Sequence, residues 1–319
     1  GLQVELPVMA HKGAGSYTEE ILAIYNMEKQ GDFALMSEEN RGRLYLSATP
    51  IGNLEDMTYR GVRMLAEADL IAAEDTRHTR KLLSHYDIHT PATSYHEHNK
   101  LTKGPELVEK MLSGAVVVCV SDAGLPGISD PGAHLAQLAI EAGIQVSPLP
   151  GANAALSALI CSGLDTTAFT FYGFLPKSSK KRRELLERIK CSPETLIFYE
   201  APHHLKETLK QLCEALGEER PAAAARELTK HYEEFNRRSL GELLDYYQAN
   251  EPRGEFVLII SGYDAEKAAS TQQAEEVTDP VQMVEAFEQQ GLSRKEAMRE
   301  TAKKLGISRR DVYNILLKA

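Results

Sequence analysis

The sequence predicts an α/β protein with parallel or mostly parallel sheets, because short β-branched runs alternate with helical patterns along most of the chain. The second observation is that polar and glycine-rich residues follow the strand patterns. The clearest case is residues 115–132, where AVVVCV ends in the loop SDAGLPGISDPG. Such an apolar run before a loop is typical of a buried parallel strand. Because open α/β sheets bind ligands at the carboxyl ends of their strands, we expect the functional site there.

Two α/β domains, at residues 43–160 and 161–263, follow from the order of these patterns. The first has strands at 43–49, 69–73, 93–95, 115–120 and 144–148, and helices near 58–67, 79–86, 106–113 and 133–142. The second has strands at 168–174, 196–199, 222–225 and 255–260, and helices near 180–190, 203–216 and 240–249.

The two ends of the chain differ from these domains. Residues 1–42 show no strand leading into the pattern, and we interpret them as an extension, derived from an expression vector or otherwise outside the fold. Residues 264–279 are polar and are interpreted as a linker. Residues 280–319 form a helical tail, in which Gly291 and Gly306 separate three helices with the proportions of a helix-turn-helix. Such a unit contacts nucleic acid or serves only as a packing module.

Composition limits the class of protein. No apolar run approaches the roughly 18 residues that a membrane span needs. The four cysteines are scattered, which argues against a zinc site or a disulfide framework and favours the cytoplasm. The net charge of −10 argues against non-specific nucleic-acid binding over the whole surface. Two basic clusters, at residues 177–183 and 294–310, are either solvated helix faces or sites for a phosphate-bearing partner.

Several familiar sites are missing from the sequence. It has no G-x-G-x-x-G after the first strand, no P-loop and no G-x-S-x-G nucleophile elbow. His96 and His98 would face the same way on an extended segment, but no third ligand is identifiable, so we predict no metal site. The glycine-rich loops at residues 122–132 and 150–154 must therefore hold the ligand.

The loop motifs resemble those of one family. They are TPIGNLED at 49–56, AAEDTR at 72–77, VSDAG at 120–124 with DPG at 130–132, PGANA at 150–154, FYEAPH at 198–203 and RELTK at 226–230. In this order they resemble the ribosomal small-subunit RNA cytidine 2′-O-methyltransferases of the tetrapyrrole methylase superfamily. The resemblance runs from about Leu44 to Gly262, and one departure is Leu125, where threonine is common.

The resemblance implies S-adenosylmethionine as the methyl donor, bound in a cleft between two α/β domains of tetrapyrrole-methylase type, in a homodimer. Carried over by motif, the donor-binding residues would be Pro50 and Gly52 at the methionine end, Asp122, Ala123, Gly124, Ile128, Ser129 and Asp130 around the donor, Gly151, Ala152, Asn153 and Ala154 on its other side, and Tyr199, Ala201 and Arg226 near the adenosine. Glycines allow close approach of the backbone to a ligand, which agrees with this placement.

Methylation of a ribose hydroxyl would need a base and contacts to RNA. We expect Glu74 or Asp75 as the base or an orienting carboxylate, although either could instead cap the following helix. Arg77 would grip a phosphate, and His96 is the alternative base. RNA backbone would be held by Lys177, Lys180, Lys181, Arg182 and Arg183, with Lys230 as a weaker candidate. Tyr95 or Tyr172 could stack on a splayed base.

Two alternatives remain open at this point. One is a methylase of the same fold that acts on a tetrapyrrole or another small molecule. The basic run at 177–183 and the helical tail argue against it, since a small macrocycle needs neither. The other is a non-catalytic RNA-binding factor in ribosome assembly that retains the donor pocket. The intact loops at 74–77 and 122–132 argue against such a loss of activity.

Overall fold

The computed structural model describes residues 42–265, 279–289 and 291–317. Nearly all of the predicted extension and linker therefore lies outside the described residues. The chain divides after Ala154 into two units, which are described separately. The predicted domain boundary at residue 160 lies inside the helix Ala154–Ser162. Every residue of this helix except Ala154 belongs to the second unit.

The first unit is built on a five-stranded sheet in which all strands are parallel. Its strands are β1 (Arg43–Ser47), β2 (Leu70–Ala73), β3 (Ala92–Ser94), β4 (Val116–Val120) and β5 (Gln145–Leu149). They lie in the order β3-β2-β4-β1-β5. The loops that follow all five strands therefore meet at one edge of the sheet, as predicted for this unit.

Helices cover both faces of this sheet. They are α1 (Tyr59–Glu67), α2 (Thr76–His85), α3 (Lys100–Leu112) and α4 (Gly132–Glu141). Leu44 and Val117 pack in one buried cluster with residues of α3 and α4, whereas Tyr45 and Val118 pack in another with residues of α1 and α2. This alternation is the period of two that a strand imposes on its side chains. The α/β class is confirmed, with the sheet buried between two layers of helices.

The second unit also contains a five-stranded sheet, but its strands are mixed in direction. They are β6 (Phe169–Gly173), β7 (Thr195–Glu200), β8 (Pro221–Arg226), β9 (Glu234–Ser239) and β10 (Phe256–Ile260), in the order β6-β7-β10-β8-β9. Only β6 and β7 pair in parallel, and the other three pairings are antiparallel. The prediction of a mostly parallel sheet is wrong here, because a short hairpin joins β8 to β9 and such a connection requires antiparallel strands.

The mixed sheet nevertheless gathers three loops at one edge. The last strand, β10, lies antiparallel between β7 and β8, so β7 and β8 run in the same direction as β6. The loops after β6, β7 and β8 therefore share an edge, as expected, whereas the end of β10 lies at the opposite one. The helices of the second unit are α5 (Ala154–Ser162), α6 (Ser179–Ile189), α7 (Leu205–Leu216) and α8 (Leu240–Ala249). Of these, α5 was not predicted.

The tail forms three short helices, as predicted. They are α9 (Pro280–Gln289), α10 (Arg294–Leu305) and α11 (Arg309–Leu316). Ser293 and Ser308 each form a capping box with the residue three positions on, and Gly306 ends α10 in the left-handed conformation that favours glycine. Val284, Ala297, Ala302 and Val312 form a small core of their own.

Candidate active site

The loops after β1 and β4 are locked together by a two-way backbone bridge. The N–H of Thr49 donates to the carbonyl of Gly124 at 2.9 Å, and the N–H of Gly124 donates back to Thr49 at 3.0 Å. The Thr49 hydroxyl donates to the carbonyl of Ser121 at 3.2 Å. Thr49 and Ser121 were not singled out from the sequence, because their roles depend on backbone contacts that no motif reports.

Gly124 lies where the three central loops converge. Its φ of +79° is in the region that favours glycine. A Cβ added there would stand 3.4 Å from the Ile51 Cγ2 and 3.5 Å from the Ala152 carbonyl oxygen. The predicted loops at 50–53, 122–132 and 150–154 therefore lie close together at Gly124.

The carboxylate of Asp130 shapes the loop before α4. It accepts hydrogen bonds from the N–H of Gly127, at 2.8 and 2.9 Å, and from the N–H of Gly132, at 2.7 Å. Pro131 is the N-cap of α4, and Asp130 closes the loop one residue before it. A Cβ on Gly132 would stand 2.7 Å from the Gly127 nitrogen, so only glycine fits this closure. Ile128 remains 43% exposed at the tip of the loop.

Glu74 and Asp122 connect the loops after β2 and β4. The N–H of Asp122 donates to the Glu74 carboxylate at 3.2 Å, and the N–H of Asp75 donates to Asp122 at 3.1 Å. Burial raises the pKa of Glu74, and the negative charges of Asp122, Asp130 and Asp75 raise it further against the opposing backbone hydrogen bond. The edge is therefore acidic, and Glu74 holds a proton more readily than an exposed glutamate does.

Asp75 plays a different part from its neighbour. Its carboxylate accepts from the N–H of Arg77 at 2.8 Å as the N-cap of α2, and it pairs with the Arg77 guanidinium at 2.9 and 3.2 Å. The hydrogen bonds from Arg77 lower the pKa of Asp75 to about 2. Of the two interpretations, the structure shows the cap, and so low a pKa makes a weak base. The Arg77 side chain is 86% exposed, but Asp75 already pairs with its guanidinium.

His96 follows β3 at the same edge. Its backbone N–H donates to the Asn99 side chain at 2.9 Å, and its ring centroid lies 6.0 Å from that of His98. The buried Nδ1 of His96 has no hydrogen-bond partner within the described ranges. Tyr95 is only 1% exposed, and its hydroxyl lies 2.8 Å from the His134 Nδ1. The expectation that Tyr95 stacks on a base is therefore wrong, since its ring is inside the core.

In the second unit, Tyr199, Ala201 and Arg226 stand at the ends of β7 and β8. The Tyr199 ring packs against Phe171, with centroids 4.9 Å apart, and burial raises the pKa of its hydroxyl. The N–H of Ala201 donates to Glu200 at 2.8 Å. Arg226 pairs with Glu234 at 3.0 Å, while its buried Nε finds no partner in the described structure. Tyr172, the other candidate for stacking, already lies against Phe198 at 5.3 Å.

The basic run extends from the end of β6 into α6. Lys177, Lys180, Lys181 and Arg183 are exposed, and Arg182 is half-buried. In the part of the chain that the structure describes, only Lys180 has an acidic partner, Glu184 at 4.0 Å. By contrast, Lys230 bridges Glu227 and Glu255, at 3.1 Å each. Those two carboxylates neutralise Lys230, which makes it a poor candidate for a phosphate contact.

Comparisons with known proteins give the family. Residues 43–244 match the family model of the tetrapyrrole (corrin/porphyrin) methylases. The ribosomal RNA small subunit methyltransferase I of Halalkalibacterium halodurans is 51% identical over 277 residues, which are 87% of this chain and 95% of the relative. The protein of the same name from Bacillus subtilis is 47% identical over 87% of this chain and 94% of its own. The chain belongs to the tetrapyrrole methylases, in the group of ribosomal RNA small subunit methyltransferases I.

Solved structures agree with the tetrapyrrole methylase fold. The methyltransferase CobJ matches with a TM-score of 0.53 over 69% of this chain and 94% of its own, at 20% sequence identity. The residues matched by the tetrapyrrole methylase family model include every predicted donor-binding position, and they end before β10 and the tail.

Within residues 42–265, 279–289 and 291–317, no group of three or more His, Cys, Asp or Glu side chains is placed to hold a metal ion. None of the helices in these ranges combines the length and apolar character needed to cross a bilayer.

Proposed function

We propose that this chain transfers a methyl group from S-adenosylmethionine to the ribose 2′-hydroxyl of a cytidine in small-subunit ribosomal RNA. The observation that carries the proposal is the acidic, glycine-lined edge of the first sheet, where Glu74 lies beside the Gly124 loops. The names of the relatives support the ribosomal substrate, and the choice of cytidine and of the 2′-oxygen rests on the motif resemblance. A homodimer in the cytoplasm is proposed on the same resemblance.

The residues at this edge fit S-adenosylmethionine. The donor carries a sulfonium and an ammonium against one carboxylate, and the carboxylates of Glu74, Asp122 and Asp130 favour such a net cation. Gly124 has no side chain, which allows a ligand close contact with its backbone, and the exposed Ile128 offers an apolar surface. The residues that would hold the donor are Pro50, Gly52, Asp122, Ala123, Gly124, Ile128, Ser129, Asp130, Gly151, Ala152, Asn153 and Ala154. On the resemblance alone, we propose that Tyr199, Ala201 and Arg226 contact the adenosine.

When bound, S-adenosylmethionine supplies an electrophilic methyl group. A ribose hydroxyl is a poor nucleophile, so the chain must align it within about 3–3.5 Å of that carbon and accept its proton. Glu74 is the better placed of the two adjacent carboxylates, because its raised pKa makes it the stronger base while Asp75 is held by Arg77. His96, with its unpartnered Nδ1 at the same edge, remains the second candidate.

The alternatives predict different outcomes in one experiment. Calorimetry measures S-adenosylmethionine binding, and tritium-methyl transfer is then assayed on unmodified small ribosomal subunits and, in parallel, on precorrin-type tetrapyrroles. We expect sub-millimolar donor binding and label in ribosomal RNA at a ribose. Label in the tetrapyrrole alone would replace the proposal with a small-molecule methylase. Donor binding without transfer to either substrate would favour an assembly factor.

The basic run gives a second prediction. We expect Lys181→Ala combined with Arg183→Ala to raise the KM for subunits about fifteen- to thirtyfold near 0.15 M salt. Each phosphate contact releases one counterion from the RNA, which favours binding, and the double variant loses two such contacts. The salt dependence of KM should become less steep, while donor affinity is unchanged. The matched control is Arg188→Ala with Lys190→Ala at the other end of α6, which removes equal charge. An equal rise in KM for the control would show a general charge effect instead of a specific surface.

A further inference from the structure

The tail differs in charge from the rest of the chain. Residues 291–317 hold seven lysines and arginines against three carboxylates, in a protein whose net charge is −10. The seven cations are Arg294, Lys295, Arg299, Lys303, Lys304, Arg309 and Arg310. A compact positive module on an acidic chain indicates a polyanionic partner at that place.

Of the three carboxylates in residues 291–317, one forms an ion pair with these cations. Glu296 accepts from the N–H of Ser293 at 3.1 Å, and Asp311 accepts from the N–H of Ser308 at 3.2 Å, so both serve as helix caps. Among the described residues of the tail, the ion pair that forms is Arg299 with Glu300 at 3.5 Å. Arg309 and Arg310 therefore keep their full charge at the surface.

One face of α11 is exposed and does not pack in the core of the tail. Arg309, Arg310, Tyr313 and Leu317 are exposed, Tyr313 by 52% and Leu317 by 67%, whereas Val312 is buried in the core of the tail. The two arginines occupy the first turn of α11, where the helix dipole disfavours cations. Because these two arginines do not stabilise the helix, a partner outside it would explain their position.

We propose that the tail binds the phosphate backbone of structured ribosomal RNA through this face of α11 and adds affinity for the substrate without taking part in methyl transfer. RNA suits the surface because its phosphates match the unneutralised arginines. The major groove of duplex RNA is too deep and narrow for a helix to read, so the contact follows the shape and charge of the RNA and not its base sequence. The inference rests on the proposed function, since it names a second contact with the same substrate.

The test uses the full chain with Arg309→Ala and Arg310→Ala together. The capping box of Ser308 and Asp311 stays intact, so α11 is expected to remain folded, which circular dichroism and an unchanged or slightly higher Tm would verify. The control replaces Lys110 and Lys210, which are exposed on α3 and α7, with alanine, for the same change in charge. Filter binding to small subunits without the donor is measured beside KM, kcat and donor affinity.

Near 0.15 M salt we expect the affinity for the subunit to fall, and KM to rise, about fifteen- to thirtyfold. The kcat and the donor affinity should stay unchanged, and the control variant should behave as the wild-type chain does. Equal subunit binding by the variant and the wild-type chain would overturn the inference, and so would a shift from dimer to monomer on light scattering with no loss of RNA binding. If the wild-type chain binds subunits through Arg309 and Arg310 but transfers no methyl group, the inference stands and the proposed function is wrong. The two failures are thus distinguishable.

Discussion

Replacing Glu74 with glutamine is expected to reduce kcat for methyl transfer by about 10²–10⁴, the range of a single positioned base. Glutamine keeps the size of the side chain and an oxygen to accept from the N–H of Asp122, so the loops after β2 and β4 should stay joined. The measurement is single-turnover transfer to subunits at saturating donor. Unchanged kcat would move the role of the base to His96.

The same variant is expected to be more stable than the wild-type chain at neutral pH. Burial raises the folded-state pKa of Glu74 above its ordinary value, so any stabilisation from its protonated form is present at low pH and is lost as pH rises through the raised pKa. At pH 7 the partly buried, ionised carboxylate then destabilises the folded state, and glutamine removes this charge. Thermal melts at pH 5 and pH 7 should show a larger gain for Glu74→Gln at pH 7. Loss of stability at both values would contradict this reasoning.

Asp75→Asn is the matched control for Glu74→Gln. Asparagine caps helices as well as aspartate does, so α2 should persist although the pair with Arg77 is lost. Because the pKa of Asp75 is about 2, this group stays ionised across the working range and cannot produce a change of rate near neutral pH. We expect kcat to change little. A loss as large as that of Glu74→Gln would mean that the two carboxylates act as one unit.

Asp130→Ala is expected to weaken S-adenosylmethionine binding about tenfold to a hundredfold. The substitution removes the acceptor of the Gly127 and Gly132 N–H groups, and each charge-assisted hydrogen bond is worth about 1.5–3 kcal/mol. The loop then spends only part of its time in the shape that binds, and the apparent affinity falls by that fraction. Calorimetric titration with the donor measures the effect directly.

Two further variants separate loop shape from charge in that result. Gly132→Ala keeps the Asp130 carboxylate but brings a Cβ within 2.7 Å of the Gly127 nitrogen, so it should weaken donor binding as well. Asp165→Ala removes a similar side-chain contact, to the N–H of Thr167 at 2.9 Å, in the second unit and should leave donor affinity unchanged. Full donor affinity in both Asp130→Ala and Gly132→Ala would exclude the 122–132 loop from the donor site.

The sequence predicted the parts of the fold that depend on local pattern. The first sheet and its five loops were predicted because apolar strands such as β4 end in clear turn residues. The antiparallel strands of the second sheet were not, because strand direction is decided by pairing between distant residues. The strand β9 was missed since its sequence EFNRRS is largely polar, and α5 because AALSALICS has no polar face to mark a helical period.

The candidate site shows the same division. The motif residues could be named from the sequence, and Gly124 does lie between the loops that were expected to meet there. The difference between Glu74 and Asp75 could not be predicted, because it depends on which carboxylate Arg77 reaches and which one is buried. The neutralised Lys230 and the buried Tyr95 required the same three-dimensional information.

The position of β10 has a consequence for biosynthesis. Because β10 lies in the middle of its sheet, β7 and β8 acquire their shared neighbour only after residues 256–260 have left the ribosome. The first sheet, whose strands all precede residue 150, can close much earlier. Until residues 256–260 have left the ribosome, the nascent second sheet carries two unpaired strand edges, and a chain terminated before β10 would keep them as sites for aggregation.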